Sequence, residues 1–385
     1  MRRSLVILAA LLAICFPARA FAAAYFVFFG THITGDGKGF SLSRFDSDTG
    51  TLSTPTFLLQ LPAPAYFILH PDGKHLYTCD SGDTFNGQPG GGISALAIDP
   101  QTAKLTLLNQ QPSGGADPSY ISLDKAARHV LVANYKGGNI AVFALKPDGS
   151  LGDRTAFIQH TGKSIDPIRQ NHAYAHSIRV DPSGKFALVA DLGQDKLFVY
   201  RYDENAGTLT PNDPPFATVK PGSGARHVIF HPNGQFVYLN TEMGSTVTVF
   251  AWDGSSGALS EIQTVSSLPA DFKGVSAAAE IVVHPNGKFL YVSNRGMDTL
   301  AVFAIDQEMG KLTNIQYIPT QGKTPRNFAI DPTGQWLLIT NHGSNNAMVF
   351  HIDPATGELT PHGDPIAVPY PFCERFLPVV ATALR

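Results

Sequence analysis

The amino-acid sequence predicts an all-β fold, a seven-bladed β-propeller whose ring is closed by pairing the two ends of the chain. Three observations lead to this prediction: motifs recur at a period of about 50 residues, turn-forming residues are abundant, and helical patterns are rare. The chain has 385 residues, including 36 glycines, 28 prolines and 25 phenylalanines. Glycine and proline suit turns, and phenylalanine suits strands. After residue 24 no segment sustains the apolar spacing of an amphipathic helix, so we expect few helices.

Three landmarks define the repeat. A turn tetrapeptide of the His-Pro-Asn-Gly type, with Pro and Gly where a tight turn needs them, begins at His70, Asp124, Asp181, His231, His284 and Asp331, the Asp124 copy being degenerate. A polar residue follows ten positions later, at Asp80, Asn134, Asp191, Thr241, Asn294 and Asn341. A second turn, usually Gly-x-Leu, ends at Leu52, Leu105, Leu151, Leu209, Leu259, Leu312 and Leu359. The seven copies of this second turn predict seven blades.

Each repeat has room for four short strands. In one copy these are Glu280–His284, Lys288–Ser293, Leu300–Ile305 and a strand after Leu312. Four short strands at this period are typical of a propeller blade. A solenoid is the alternative, but its repeats are usually shorter and it needs no ring closure.

The two ends of the chain supply complementary strands. The segment Tyr25–Gly30 resembles the second strand of a repeat and has no first strand before it, whereas Pro371–Phe376 resembles a first strand with no partner. We therefore expect the C-terminal strand to complete the first blade, which removes free sheet edges. Residues 25–385 are predicted to form a single domain.

The first 24 residues have the pattern of a signal peptide. Arg2 and Arg3 precede the apolar run Leu5–Phe16, and small residues follow from Ala18 to Ala24. This order is typical of secretory export, and the run is shorter than the roughly 20 residues that span a bilayer. We expect an exported protein, periplasmic or secreted, with no integral membrane segment in the mature chain. An ordinary Sec signal and a twin-arginine signal both remain open.

Charge and cysteine content exclude several classes of protein. The net charge is −3, and without runs of Lys or Arg the chain is a poor candidate for binding nucleic acid. Once Cys15 is removed with the signal, Cys79 and Cys373 remain, either as one disulfide or as two buried thiols. No Cys and His cluster has the spacing of a zinc site. We expect no metal or other cofactor, and a monomer.

The repeat also locates candidate functional residues. Because the first and second strands of a blade are antiparallel, the start of the first and the end of the second lie on one rim of the central channel. Five residues before the turn landmark stand Ala65, Ser119, His176, Arg226, Ala279 and Arg326. Eleven residues after it stand Ser81, Tyr135, Leu192, Glu242, Arg295 and His342. The ionisable members break the repeat and should face one opening.

These residue types suit acid–base chemistry on an anionic substrate. A carboxylate or histidine can exchange a proton near neutral pH, and arginines can bind carboxylate, phosphate or a developing oxyanion. Structural alternatives remain: Glu242 and Arg226 could form a structural ion pair, and Arg295 and Arg326 could be solvated rim charges. His176 and His342 could also be structural. The turn histidines His70, His231 and His284, and the aspartates Asp191 and Asp195, are expected to stabilise turns.

The sequence resembles the seven-bladed β-propeller lactonase family, of the 6-phosphogluconolactonase and carboxy-muconate lactonising enzyme type, from about Tyr25 to the C-terminus. The resemblance rests on Ala133-Asn-Tyr-Lys-Gly-Gly-Asn, Ala175-His-Ser-Ile-Arg-Val-Asp-Pro, Gly224-Ala-Arg-His-Val-Ile-Phe-His-Pro, Glu242-Met-Gly-Ser-Thr-Val, Leu290-Tyr-Val-Ser-Asn-Arg-Gly and Thr324-Pro-Arg-Asn-Phe. The proposed active-site set of the family, one histidine, two arginines and one glutamate, falls on His176, Arg226, Arg295 and Glu242. The chain departs from the family at Tyr174, where a histidine is frequent.

The resemblance implies an enzyme that hydrolyses the ester bond of a small sugar or organic-acid lactone. In that reading Glu242 activates water, Arg226 and Arg295 hold the oxyanion and a substrate anion, and His176 protonates the leaving oxygen. Arg326, His342 and Tyr135 are expected to bind the substrate. Two alternatives are a lactone-forming cycloisomerase that uses the same groups and a non-enzymatic binding propeller of the cell envelope. A protein-interaction platform is a third.

Overall fold

The computed structural model describes residues 24–32 and 38–379, and within these residues every regular element is a β-strand. The strands form seven sheets of four or five strands and one small hairpin. Each sheet is antiparallel, and all but the first and second are built from strands that are strictly consecutive in the chain, as is typical of propeller blades. The part of the chain described contains no helix with the length and apolarity to cross a bilayer. The predicted all-β propeller with seven blades is confirmed.

The blades follow one another along the chain, each starting at its innermost strand except the first. Blade 1 contains β1 (Ala24–Thr31), β2 (Gly39–Asp46), β3 (Thr51–Leu52), β4 (Thr56–Gln60) and β31 (Pro371–Pro378). Blade 2 contains β5 (Pro64–Leu69), β6 (His75–Asp80), β9 (Gly92–Ile98) and β10 (Leu105–Pro112), with β7 (Thr84–Phe85) and β8 (Gln88–Pro89) as an inserted hairpin. Blade 3 contains β11 (Pro118–Leu123), β12 (His129–Asn134), β13 (Asn139–Leu145) and β14 (Leu151–Gln159).

The other four blades have four strands each. Blade 4 contains β15 (Ala175–Val180), β16 (Phe186–Asp191), β17 (Lys196–Asp203) and β18 (Thr208–Thr218). Blade 5 contains β19 (Ala225–Phe230), β20 (Phe236–Thr241), β21 (Thr246–Asp253) and β22 (Ala258–Ser266). Blade 6 contains β23 (Ala277–Val283), β24 (Phe289–Arg295), β25 (Thr299–Ile305) and β26 (Leu312–Pro319). Blade 7 contains β27 (Pro325–Ile330), β28 (Trp336–Asn341), β29 (Asn346–Ile352) and β30 (Leu359–Ala367).

The ring closes as the sequence predicts. Strand β31 is the innermost strand of blade 1 and pairs antiparallel with β1, Phe26 opposite Leu377 and Gly30 opposite Cys373. The first and last strands of the described chain therefore share one sheet, which ties both ends into the ring.

The Gly-x-Leu turns hold neighbouring blades together. An aromatic residue of the second strand of one blade packs on the turn glycine of the next blade, as Phe236 does on Gly310 and Trp336 on Gly50. A Cβ atom on Gly310 or Gly50 would lie 2.5 or 2.4 Å from the ring, and both glycines have a positive φ. Only glycine satisfies both demands, which explains why this turn recurs.

The histidines of the first turn landmark also link blades. The Nε2 atom of His231 lies 2.7 Å from the carbonyl oxygen of Gly287, and that of His284 lies 2.8 Å from the carbonyl oxygen of Gly334. His70 makes the same contact, at 3.1 Å, with Ala127 of the next blade. Within their own turns, their Nδ1 atoms accept from the backbone N–H groups of Asp72, Asn233 and Asn286 at 3.1–3.2 Å, so the predicted turn role is confirmed.

A β-bulge recurs near the start of the innermost strand. In blade 5, Ala225 lies opposite Thr241 and His227 lies opposite Asn240, so that Arg226 has no cross-strand partner. The same register shift occurs in all seven blades. The bulged residues are Ala65, Ser119, His176, Arg226, Arg326 and Phe372, with Ala279 and Glu280 sharing the bulge of blade 6.

This bulge explains why one slot of the repeat carries the functional residues, since a bulge re-aims a side chain. It also corrects one strand boundary. The first strand of blade 6 begins at Ala277 rather than at the expected Glu280, because the bulge lets pairing continue past the break in register. Cys79 and Cys373, for which a disulfide and free thiols were both open, are buried free thiols.

Candidate active site

One mouth of the channel contains a cavity of about 370 Å³. Six of the seven residues selected from the repeat line it: Tyr135, His176, Glu242, Arg295, Arg326 and His342. The seventh, Arg226, lies behind the cavity wall in contact with Glu242. The small residues Ala65, Ser81 and Ser119 line the cavity as well and leave its interior open.

Glu242 is the centre of the charged cluster. It directly follows β20, and its backbone N–H donates to the carbonyl oxygen of Gly224 at 2.7 Å. Its Oε2 atom accepts from Arg226 Nε at 3.0 Å and lies 3.1 Å from Arg295 Nη2. Its Oε1 atom accepts from Arg169 Nη2 at 2.6 Å. Three guanidinium groups from three different chain segments therefore converge on one carboxylate.

These arginines decide the charge of Glu242. The side chain is only 7% exposed, and burial alone would raise its pKa. The charges of Arg295 and Arg226 outweigh burial and hold the pKa of Glu242 well below its usual range. The carboxylate is therefore ionised at neutral pH and, being so strongly stabilised, is a weak proton acceptor.

Arg226 is a buried structural partner of this carboxylate. Its side chain is 2% exposed. Its Nη1 atom donates to the carbonyl oxygen of Ala279 and lies 3.3 Å from Nε2 of His227. These contacts hold Nε and Nη1 in place, so Arg226 orients Glu242, while its Nη2 atom makes no hydrogen bond among the described residues.

His176 is a neutral histidine in this setting. Its Nε2 atom lies 3.8 Å from Glu242 Oε2, beyond hydrogen-bond distance. Burial, and then the charges of Arg226 and His227, lower the pKa of His176 well below its usual range. Its buried Nδ1 atom has no hydrogen-bond partner among the described residues. The ring contacts Tyr135 edge-on, with centroids 5.2 Å apart. The site thus holds an uncharged imidazole whose lone pair can accept a proton.

Two further arginines face the cavity in different ways. Arg295 is fixed by the backbone, since its Nε donates to the carbonyl oxygen of Ala277 at 3.1 Å and its Nη2 to that of Ala278 at 3.2 Å. Arg326 stacks on the ring of Phe372, 4.0 Å from its centroid. In the described part of the chain Arg326 makes no side-chain hydrogen bond or ion pair, so its donors are available to a ligand.

His342 is a second neutral histidine at the rim. Its Nδ1 atom lies 3.2 Å from the carbonyl oxygen of Pro371, and so this nitrogen carries the proton. Burial lowers the pKa of His342, which leaves Nε2 as an acceptor for a hydroxyl group.

Sequence reasoning missed Arg169, which lies in the segment between β14 and β15. Arg169 is 43% exposed, and its Nη2 atom lies 3.2 Å from the hydroxyl oxygen of Tyr135. The segment lies outside the repeat, so counting from a landmark cannot select it. The long connection between β14 and β15 was a signal that could have identified Arg169. This connection leads into His176 near the start of β15, so its end must lie on the same rim. Phe372, His32 and Asp117 also line the cavity and were not selected.

A possible metal-binding group lies elsewhere. His70, Asp72 and His75 bring one ligand atom each to within 4.8 Å of one another at the turn between β5 and β6 of blade 2. Their contacts with each other and with Ala127 belong to that turn. In the cavity the arginines around Glu242 produce a setting that disfavours a cation.

Comparison with known proteins agrees with this geometry. Residues 26–376 match the family described as lactonase, 7-bladed beta-propeller. A 6-phosphogluconolactonase of Bacillus subtilis is 35% identical over 92% of this chain and 98% of its own. A 6-phosphogluconolactonase of Formosa agariphila is 32% identical over 77% of this chain and 83% of its own. The solved structure of a periplasmic gluconolactonase from Pseudomonas aeruginosa superposes with a TM-score of 0.87 at 33% identity, covering 93% of this chain and all of that one. The chain belongs to the seven-bladed β-propeller lactonase family.

Proposed function

We propose that the protein is a lactonase that hydrolyses the ester bond of a small lactone bearing a negative charge. The observation that carries the proposal is a neutral, partner-free imidazole, that of His176, beside a carboxylate that three arginines keep ionised. The family membership, and relatives named 6-phosphogluconolactonase and gluconolactonase, support an enzyme rather than a non-enzymatic binding propeller.

His176 is the better general base of the two candidates. A base must be unprotonated at the working pH and still hold a proton well enough to take it from water. The lowered pKa of His176 keeps it neutral, and its Nδ1 has no hydrogen-bond partner among the described residues. Both carboxylate oxygens of Glu242, in contrast, are occupied by arginines. As His176 takes the proton, the imidazolium that forms gains attraction to Glu242 Oε2, 3.8 Å away. His176 can then return the proton to the ring oxygen as the ester bond breaks.

The arginines supply the electrostatic part of catalysis. Attack on a lactone carbonyl places negative charge on its oxygen, and fixed donors aimed at that oxygen lower the barrier. Arg295 is suited to this role because backbone carbonyls hold its guanidinium in place. Glu242 and Arg226 hold the charged side chains of the cluster in position. These assignments differ from the roles expected from the sequence, in which Glu242 activated water and His176 protonated the leaving oxygen.

The cavity favours an anionic substrate. Four arginines lie in or behind its wall, against the carboxylates of Glu242 and Asp117. Burial and repulsion from Arg295 and Arg226 lower the pKa of Arg326, so an anion bound there would relieve that repulsion. His342 and Tyr135 offer hydrogen bonds to hydroxyl groups of the same ligand.

Replacing Arg326 with methionine should raise KM for an anionic lactone by roughly 10- to 100-fold, the worth of a charged hydrogen bond. The kcat value and the KM for a neutral lactone should change much less. Steady-state kinetics on a charged and an uncharged lactone measure both effects. Arg154→Met, at an exposed arginine of β14, is the matched control. An equal loss on both lactones would argue against an anion site at Arg326.

The proposed activity can be tested directly on the purified mature protein. A panel of lactones that includes 6-phosphogluconolactone, glucono-lactone and uncharged aliphatic lactones is incubated with the enzyme, and acid release is followed by pH-stat. We expect hydrolysis above the spontaneous rate, fastest for the charged lactones. If no lactone on the panel is hydrolysed faster than in buffer, the proposal is wrong.

Export of the protein accords with this function. Residues 1–23, which carry most of the predicted signal peptide, lie outside the described residues, and β1 begins at Ala24. One relative is described as a periplasmic gluconolactonase, which supports a periplasmic site of action. An exported lactonase would meet substrate produced by oxidation of sugars outside the cytoplasm.

A further inference from the structure

The opposite mouth of the channel contains a second cavity, of about 500 Å³. It is lined by the far halves of the seven innermost strands, so it lies on the channel axis behind the candidate active site. About half of its wall is apolar, with side chains such as Ile68, Ile229, Val282 and Phe328. Its polar groups include two arginines, Arg179 and Arg375.

A closed layer of side chains separates the two cavities. The rings of Tyr66 and Tyr120 stack with centroids 4.4 Å apart, and His227 packs edge-on against Tyr120 at 5.0 Å. His227 Nδ1 donates to Glu280 Oε1 at 2.9 Å. On the active-site side of this layer, the space beside Tyr66 and His227 is only about 10 Å³, less than a ligand needs. The second cavity is therefore a separate compartment with its own entrance.

Arg179 and Arg375 have unused donors that border this compartment. Arg179 Nη2 donates to the hydroxyl oxygen of Tyr120, whereas its Nη1 makes no hydrogen bond among the described residues. Arg375 lies over the ring of Tyr66, 5.0 Å from its centroid. It donates from Nη1 to Asn327 Oδ1 at 2.9 Å and to a backbone carbonyl, while its Nε and Nη2 make no hydrogen bond within the described chain.

The charges of the compartment do not cancel. The guanidinium groups of Arg179 and Arg375 bring two positive charges, and the carboxylate of Glu280 brings one negative charge. Although burial raises the pKa of Glu280, the charge and hydrogen bond of His227 outweigh it and lower that pKa to about 2. The neighbouring Glu374 is mostly uncharged at neutral pH because burial raises its pKa to about 8. One positive charge is left without a counter-charge.

We propose that this second cavity is a binding site for a monoanion with an apolar body, such as a medium-chain carboxylate. The carboxylate would receive hydrogen bonds from Arg179 and Arg375, and the alkyl chain would cover the aliphatic and aromatic wall. An anion of this kind would accept hydrogen bonds from guanidinium donors that the protein leaves unpaired, and would balance their charge. Burial of the chain adds binding energy in proportion to its apolar area.

The probe for this site is octanoate, whose binding to the purified wild-type protein is measured by isothermal titration calorimetry. We expect one saturable site. Acetate, octanol and octylammonium should each bind at least roughly 10-fold more weakly, because each lacks the apolar chain or the negative charge. This comparison needs no variant, and equal binding of octanol and octanoate would overturn the proposal.

Variants then locate the site. Arg179→Met should weaken octanoate binding by roughly 10- to 100-fold. Arg179→Lys keeps the charge but loses the paired donors of the planar guanidinium, and it should weaken binding less. Arg201→Met removes an exposed arginine of the same blade and should leave the affinity unchanged. Binding that is absent in the wild type, or is equally strong in Arg179→Met and Arg201→Met, contradicts the assignment. The readout is direct binding, so it does not depend on lactone turnover.

Discussion

Replacing Glu242 with glutamine should lower kcat/KM for a lactone substrate by roughly 10²- to 10⁴-fold. The amide keeps the shape of the side chain but removes the charge that Arg169, Arg226 and Arg295 share. Without that charge the imidazolium formed on His176 during catalysis loses its stabilising partner. The three guanidinium groups also repel one another, so the donors of the oxyanion site move out of position. Initial rates on the best lactone of the panel measure the effect.

The pH profile of this variant separates two roles of Glu242. The charge of Glu242 raises the pKa of His176, so its removal lowers that pKa further. If His176 is the base, the acid limb of kcat/KM therefore moves to lower pH in Glu242→Gln. If Glu242 is itself the base, the variant instead loses its acid limb and depends on hydroxide. Near-wild-type turnover in the variant would exclude both roles.

Stability must be measured alongside activity. Removing one partner of a buried ion pair costs about 3–5 kcal/mol, but the glutamine oxygen can still accept from Arg226. We therefore expect a lower melting temperature with the fold intact, checked by circular dichroism. Glu261→Gln makes the same chemical change at an exposed position of β22 in the same blade. It should alter neither activity nor stability.

The sequence predicted the rim residues because the fold repeats its geometry as well as its motifs. The bulge that turns His176 into the channel recurs in every blade, so a fixed count from the turn also selects Arg326. The position after the second strand behaves likewise and selects Glu242 and His342. Residues at equivalent positions of the sequence repeat therefore lie at equivalent positions around the ring.

Counting from the turn landmark could not predict how far each side chain extends into the channel. Arg226 has the same slot as His176, yet its guanidinium turns away from the cavity to the carbonyl oxygen of Ala279. Phe372 occupies the slot of blade 1, but the closing strand has no turn landmark from which to count. Arg169 belongs to a connection outside the repeat. In each of these three cases the position of the side chain depends on a neighbouring blade or on a loop.

The sequence and the structure lead to different proposals for the proton-transfer roles. A glutamate and a histidine on one rim suggest a base and an acid, and the sequence favoured Glu242 as the base. The direction of each pKa depends on how many arginines reach each group. Three reach Glu242, and one of them, Arg169, comes from outside the repeat. Without Arg169 the Oε1 atom of Glu242 would have been available to water.

Replacing His176 with asparagine should lower kcat on the same lactone by roughly 10²- to 10⁴-fold, the usual contribution of a general base. Asparagine is neutral, as His176 is at pH 7, so the charge of the resting site does not change. Binding of an anionic substrate to Arg326 and Arg295 should persist, and KM should therefore change little. The loss should lie in kcat, as measured by steady-state kinetics with His351→Asn as an exposed control on β29.

The pH dependence gives the more stringent test of this role. Wild-type kcat/KM should be flat from pH 6.5 upward, because the lowered pKa of His176 puts its acid limb below that value. In His176→Asn the residual rate, corrected for spontaneous hydrolysis, should rise about tenfold per pH unit, because hydroxide must replace the missing base. If instead Glu242 activates water, the variant keeps a flat profile and loses only the acid that assists the leaving oxygen. In that case a lactone with a more acidic leaving hydroxyl would restore its rate, whereas the loss of a base would leave the defect in place.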